Sequence, residues 1–244
     1  GWSWRSDTAP VRRVEPHTRQ IYTAYQDHRL ATRYQHWGQT FEFRDGSELE
    51  VGYNLTFDDL RATFTLDEGY TADPVDDAAI RPGAYGQTQW LLLYEGNASR
   101  VLSASLFAQA GDFFDGDFRS ADFNATARFS RHLRFSTGVL RTEIDLPARP
   151  ADLASPPLPP AEFNVTLLQA RLGVYVTTRL LADAFVQYNS DLDDFSTNLR
   201  FNFKYRPGSD LYVVYNERRD TEGRPADVVD RALTVKWTYL FALG

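Results

Sequence analysis

The chain has 244 residues, 43% of them hydrophobic, 24% charged and 14% aromatic, with a net charge of −7 and an isoelectric point near 5.1. That is ample apolar surface for an ordered domain, and the acidic balance argues against a nucleic-acid partner. No Cys is present, which removes disulfide scaffolds, thiolate metal sites and cysteine nucleophiles, and no run of 18 apolar residues exists to form a membrane helix. The mean hydropathy of −0.44 leaves a membrane barrel open, because barrel strands alternate and their lumens are polar. There is no Met at position 1 or elsewhere, so the sequence reads as a processed product or a segment of a longer chain.

Residues 1–15 read as a periplasmic N-terminal segment. Period-2 alternation then recurs to residue 241, and helical periodicity is hard to find. About twelve strands are expected, over 16–26, 29–44, 47–57, 84–95, 99–110, 113–129, 131–146, 163–176, 178–190, 194–206, 209–218 and 230–241. In the third, Leu49, Val51, Tyr53 and Leu55 oppose Glu48, Glu50, Gly52 and Asn54. In the sixth, Ala121, Phe123, Ala125, Ala127 and Phe129 oppose Asp122, Asn124, Thr126 and Arg128. The seventh changes its apolar face midway, from Phe135 and Val139 to Leu140, Ile144 and Leu146, as at a β-bulge. The tenth alternates throughout: Phe195, Thr197, Leu199, Phe201, Phe203 and Tyr205 lie against Ser196, Asn198, Arg200, Asn202, Lys204 and Arg206. The last sets Leu233, Val235, Trp237, Tyr239 and Phe241 against Thr234, Lys236 and Thr238, and its aromatic ending resembles a barrel-assembly signal.

Many of these strands reach ten residues, the length a tilted membrane-crossing strand needs and well above the soluble average of about 5–6. Their connections also alternate. Tight turns at 44–47, 95–98, 130–131, 176–178 and 206–209 fall between connections that include all the long ones, at 58–83, 147–162 and 219–229. Short periplasmic turns and longer outer loops give that pattern. The expected fold is therefore all-β: an antiparallel up-and-down transmembrane β-barrel of the bacterial outer membrane, occupying 16–241, with both termini periplasmic. Trp37, Trp90, Tyr94, Tyr188, Tyr205, Tyr212, Tyr215, Trp237 and Tyr239 lie near strand ends, where aromatic girdles would put them.

Several stretches have a familiar wording: Ile80-Arg81-Pro82-Gly83-Ala84-Tyr85, Gly111-Asp112-Phe113-Phe114-Asp115-Gly116, Gln187-Tyr188-Asn189, Asn198-Leu199-Arg200-Phe201, the run from Tyr205-Arg206-Pro207-Gly208-Ser209 to Asn216, and Val235 to Phe241. With these, residues 20–241 resemble the C-terminal region of the bacterial family called domain of unknown function 5916. The resemblance implies an outer-membrane barrel, often preceded by a β-sandwich similar to carbohydrate-binding modules. It implies no catalytic residue.

Enzyme motifs are scarce. There is no Gly-x-Ser-x-Gly elbow, no phosphate-cradling glycine loop and no His-Glu-x-x-His, and no cofactor is expected. His36, beside Trp37, is the one histidine that alternation could set on an outer wall, as in barrel lipases, and the plainer reading is an interfacial or lumen histidine. If the polar faces point inward, Glu48, Glu50, Asp122, Asn124, Arg128, Asn198, Arg200, Asn202, Lys204, Thr234 and Lys236 line a pore. Acidic groups in the outer connections are weak calcium candidates: Asp73, Asp76 and Asp77; Asp112, Asp115 and Asp117; Asp191, Asp193 and Asp194. Four functions stay open: a pore or transport component for small solutes, a plugged structural or anchoring barrel, an outer-membrane hydrolase, and a soluble β-sandwich or ligand-binding barrel. Expected partners are outer-membrane lipid and either other envelope proteins or a periplasmic domain.

Overall fold

A computed structural model describes residues 2–65, 79–151, 157–222 and 226–241. Among them there is no helix. The strands are β1 (Trp4–Arg5), β2 (Val11–Ala24), β3 (Leu30–Phe43), β4 (Glu48–Leu60), β5 (Phe64–Thr65), β6 (Ala79–Ile80), β7 (Gly83–Glu95), β8 (Leu102–Phe113), β9 (Gly116–Ser130), β10 (Leu133–Leu146), β11 (Ala161–Thr177), β12 (Leu180–Asn189), β13 (Asp194–Arg206), β14 (Ser209–Asp220) and β15 (Asp227–Trp237). Thirteen of them form one antiparallel sheet in sequence order, from which only the β5–β6 pair stands apart. The fold is an all-β up-and-down meander, and every one of the twelve expected strands is present.

Several boundaries differ from the alternation; β8 and β9, for example, meet at 114–115 rather than at 111–112, and three further differences bear on the ends and the long connection. The first long strand begins at Val11, because its leading residues pair with Phe43 and Glu42 of β3 and Trp4–Arg5 adds a short outer partner. The β5–β6 pair lies inside the 58–83 connection, whose residues 66–78, with Asp73, Asp76 and Asp77, fall outside the described residues. The last strand ends at Trp237 rather than 241. There the Leu240 N–H donates to the buried Ser209 hydroxyl (2.9 Å) and the Arg206 guanidinium stacks on the Tyr239 ring at 3.6 Å. Residues 238–241 thus pack on the β13–β14 turn, which Gly208 closes with φ of +72°.

The chain forms two compact units, one of Gly1–Asn97, Ser105–Phe123 and Leu140–Val165, the other of Ala98–Ala104, Asn124–Val139 and Thr166–Gly244. In the first unit, Ala79, Ile80 and Leu146 are the buried apolar side chains, with Ile80 fully enclosed. They lie where residues 79–82 and 147–150 meet the strands. Arg149, 7% exposed, ties this corner together by gripping the Asp115 carboxylate with two nitrogens and donating to the Ala79 carbonyl at 2.6 Å. Arg81 donates to the Pro150 carbonyl (2.8 Å), the Tyr85 hydroxyl to the Arg81 carbonyl (2.8 Å), and Phe114 packs edge-on against both Tyr85 and Phe113. A Cβ at Gly116 would lie 2.1 Å from the Asp145 carbonyl oxygen, so only glycine fits beneath this corner. Two of the stretches that carry the family resemblance, 80–85 and 111–116, therefore meet in space and serve to fasten connections. Leu146, the last residue of β10, is buried at the same corner.

Another connection of this unit is pinned by charge. Arg61 bonds Asp27 at 2.7 Å and lies 3.4 Å over the Tyr25 ring. The guanidinium holds the Asp27 carboxyl below its ordinary range. In the second unit, Asp191 is shifted the other way, raised by burial in its turn.

Candidate functional site

Because side chains alternate along a strand, the pairing register sorts them into two faces. In the first unit one face carries the rows Thr18–Trp37–Tyr53–Trp90 and Pro16–Gln39–Val51–Leu92. The other carries Glu15–Thr40–Glu50–Leu93, His17–Gly38–Gly52–Leu91 and Arg19–His36–Asn54–Gln89. Burial is inverted relative to a soluble sheet. Trp37 and Trp90 are 42% and 66% exposed, whereas His36, Asn54 and Gln87 are 8%, 7% and 8% exposed.

The second unit repeats the division into faces but not the difference in burial, since Arg200, Thr234 and Lys236 of its polar face are exposed as well. Leu172–Ala184–Leu199–Tyr215–Leu233 and Val174–Ala182–Phe201–Val213–Val235 form an apolar face on which Leu199, Leu233 and Val235 are exposed. The opposite face carries Arg171–Phe185–Asn198–Asn216–Ala232, Gly173–Asp183–Arg200–Val214–Thr234 and Leu181–Asn202–Tyr212–Lys236. On it, Arg171 bonds Asp183 at 2.8 Å and Asn198 bonds Asn216, beside a groove of about 460 Å³ that Arg200, Arg218 and Asp230 also line.

The expected lining residues can now be placed. Glu48 and Glu50 share the polar face of the first unit, as register with Glu42 and Thr40 requires. Asn198, Arg200, Asn202, Thr234 and Lys236 share the polar face of the second. Asn124 accepts from the Gln169 amide at 3.3 Å, directly over Gly138, whose missing Cβ makes that room. Arg128 is strapped to the β7–β8 connection, donating to the Arg100 carbonyl at 3.2 Å and the Ser103 hydroxyl at 3.3 Å. Lys204 sits at the end of β13, where its N–H bonds the Arg179 carbonyl beside the turn. Asp122 precedes Asn124 by two residues in β9.

Register puts His36 on the polar face, back to back with Trp37, and its partners are Asn54, His17 and Glu50. Among the described residues no serine hydroxyl bonds it. Of the acidic groups in the connections, the Asp112 carboxylate accepts the Thr88 N–H at 2.8 Å and that of Asp115 is held by Arg149, whereas at Asp193 it is the backbone carbonyl that accepts from Thr221.

Among the described residues, one group of His, Asp and Glu has the spacing of metal ligands: His17, His36 and Glu50. In the sequence Glu50 stands out only as a lining residue, with nothing that ties it to either histidine. The spacing His36-x-Gly38 and Glu50-x-Gly52-x-Asn54 on alternating strands was legible, but only the register across the 44–47 turn sets the two strands side by side. Bringing in His17 needs the 25–29 turn as well.

No family model matches the chain, and no curated protein matches it. Among solved structures, it is similar to a chain described as "KdgM porin in complex with disordered oligogalacturonate", with a TM-score of 0.33 and 9% identity over 94% of this chain and 99% of that one. Likeness at that level assigns neither a family nor an activity.

Proposed function

We propose that this chain is an outer-membrane β-barrel whose polar faces line an interior through which small solutes pass. The observation that carries the reading is the inversion of burial in the first unit: Trp37, Val51 and Trp90 are exposed while His36, Asn54 and Gln87 are covered. Water would reverse that arrangement, and lipid outside with a polar interior stabilises it. Strand dimensions agree. Phe195 to Phe203 spans about 27 Å at roughly 3.4 Å per residue, and a tilt of about 40° brings that to about 20 Å of depth, near the height of a barrel's apolar band.

Closure is part of the proposal. Among the described residues, β15 is paired only to β14, and β2 has only the two-residue β1 on its outer side. Unpaired ladders beside an apolar face do not persist in lipid, so these edges are expected to pair with each other or with further strands. Lineage with the domain of unknown function 5916 family rests on the resemblance at 198–216 and 235–241.

Ionic pairing on the polar face, such as Arg171 with Asp183, favours a second reading: a plugged barrel that anchors a partner or a periplasmic domain. Planar-bilayer recording separates the two. Discrete conductance steps from inserted protein are the expected result. Silence from protein proven to have inserted overturns the pore and leaves the anchoring barrel.

A further inference from the structure

Three donor atoms on the polar face of the first unit lie at nearly equal separations. His17 Nε2 and His36 Nε2 are 3.1 Å apart, and they lie 3.4 and 3.3 Å from Glu50 Oε1. A tetrahedral cation with bonds of about 2.0–2.1 Å to nitrogen and carboxylate oxygen spaces its ligands by about 3.3–3.4 Å. The triangle is therefore close to one face of such a tetrahedron, with the fourth position left open.

The surroundings support that geometry. His36 Nδ1 is 2.8 Å from Asn54 Oδ1, which also accepts the Tyr34 hydroxyl at 3.0 Å. An oxygen there calls for a proton on Nδ1, which leaves the Nε2 lone pair turned toward Glu50 and His17. Outer partners of this kind set the tautomer of histidine ligands. Two glycines make the floor. A Cβ at Gly38 would lie 2.5 Å from His17 Nε2 and 2.6 Å from His36 Nε2, and one at Gly52 would lie 2.7 Å from the Trp37 carbonyl oxygen and 3.2 Å from His36 Cε1. The rings can converge only because that row lacks side chains. His36 is held tightly, its side chain 10% exposed, while His17 at 37% leaves one approach to solvent.

We propose that His17, His36 and Glu50 bind one divalent transition-metal cation of the zinc type, with an exchangeable water or anion in the fourth position. Two imidazoles and one carboxylate favour such metals over calcium and magnesium, which prefer all-oxygen shells. The site rests on the first unit alone and is independent of whether the chain conducts.

The test uses the full chain, folded in detergent, stripped with a chelator and dialysed against ZnCl2 or CoCl2. One zinc per chain and the intense visible bands of four-coordinate Co2+ are expected. His17→Ala, His36→Ala and Glu50→Gln should each weaken binding at least tenfold. Asn54→Leu, which removes only the outer partner, should weaken it about 10–100-fold. His132→Ala, in the β9–β10 turn, should leave it unchanged. Heat-modifiable gel mobility identifies variants that fold, and Glu50→Gln keeps the shape of the original side chain. Absence of stoichiometric zinc in the folded wild-type chain, or binding that survives His17→Ala/His36→Ala, overturns the proposal in favour of a hydrogen-bonded histidine pair. A weak six-coordinate Co2+ spectrum overturns the three-ligand tetrahedral site.

Discussion

Leu199 and Asn198 are neighbours in the middle of β13 whose side chains leave opposite faces of the sheet, and an arginine at each tests which face meets lipid. Leu199 is 43% exposed, in a row with Leu172, Ala184, Tyr215 and Leu233. Were that exposure to water, Leu199→Arg would fall within about ±0.5 kcal/mol of the parent, as surface changes do. Facing lipid near the membrane midplane, it should cost about 2–4 kcal/mol. Asn198→Arg loses a side-chain bond to Asn216, about 1 kcal/mol, and places its charge among polar groups. The expected gap between the two variants is thus about 1–3 kcal/mol, with Leu199→Arg the less stable. Equilibrium denaturant unfolding from lipid vesicles, followed by tryptophan fluorescence and gel mobility, measures it. Equal stabilities, or a reversed order, would refute the assignment of faces.

Two further outcomes follow from the connections. Arg149→Met strips Asp115 of its partner and frees the Ala79 carbonyl. Breaking a buried pair costs about 3–5 kcal/mol, and the part-exposed Asp115 lowers that to about 2–4 kcal/mol. The loss should be local: proteolysis at 79–82 and 147–150 should rise while the strands stay protected, and an unchanged cleavage pattern would contradict the role given to Arg149. Arg61→Ala should move the Asp27 titration up toward the ordinary carboxylate value. Because Asp27 is lowered in the folded chain, its contribution is present above the unfolded value and is lost as pH falls through the folded one. A carboxyl NMR titration unchanged by Arg61→Ala would rule out that pairing.

The strands were legible because period-2 alternation runs through nearly all of them, and β13 shows why: every second residue from Phe195 to Tyr205 is apolar or Thr. Their order was legible too, since tight turns such as 206–209 leave neighbouring strands antiparallel. What alternation cannot supply is the interaction between rows. His17 lies 19 residues from His36, and nothing local marks them as neighbours. Gly52 stands in the sequence only as one residue of its strand's polar face, and only register stacks it beside Gly38 into one floor. The acidic residues of 111–117 read as exposed calcium candidates, because Arg149, the cation that holds Asp115, comes from a connection 34 residues away.

Because the chain has no Cys, a nitroxide can be placed at each position from 196 to 203 in turn. Accessibility to oxygen, which concentrates in lipid, against a water-soluble nickel complex then tests the membrane barrel most directly. Oxygen access is expected at 197, 199, 201 and 203 and low oxygen access at 196, 198, 200 and 202, alternating with period two. Nickel access at the odd positions, or folded protein that stays soluble without detergent, would contradict it.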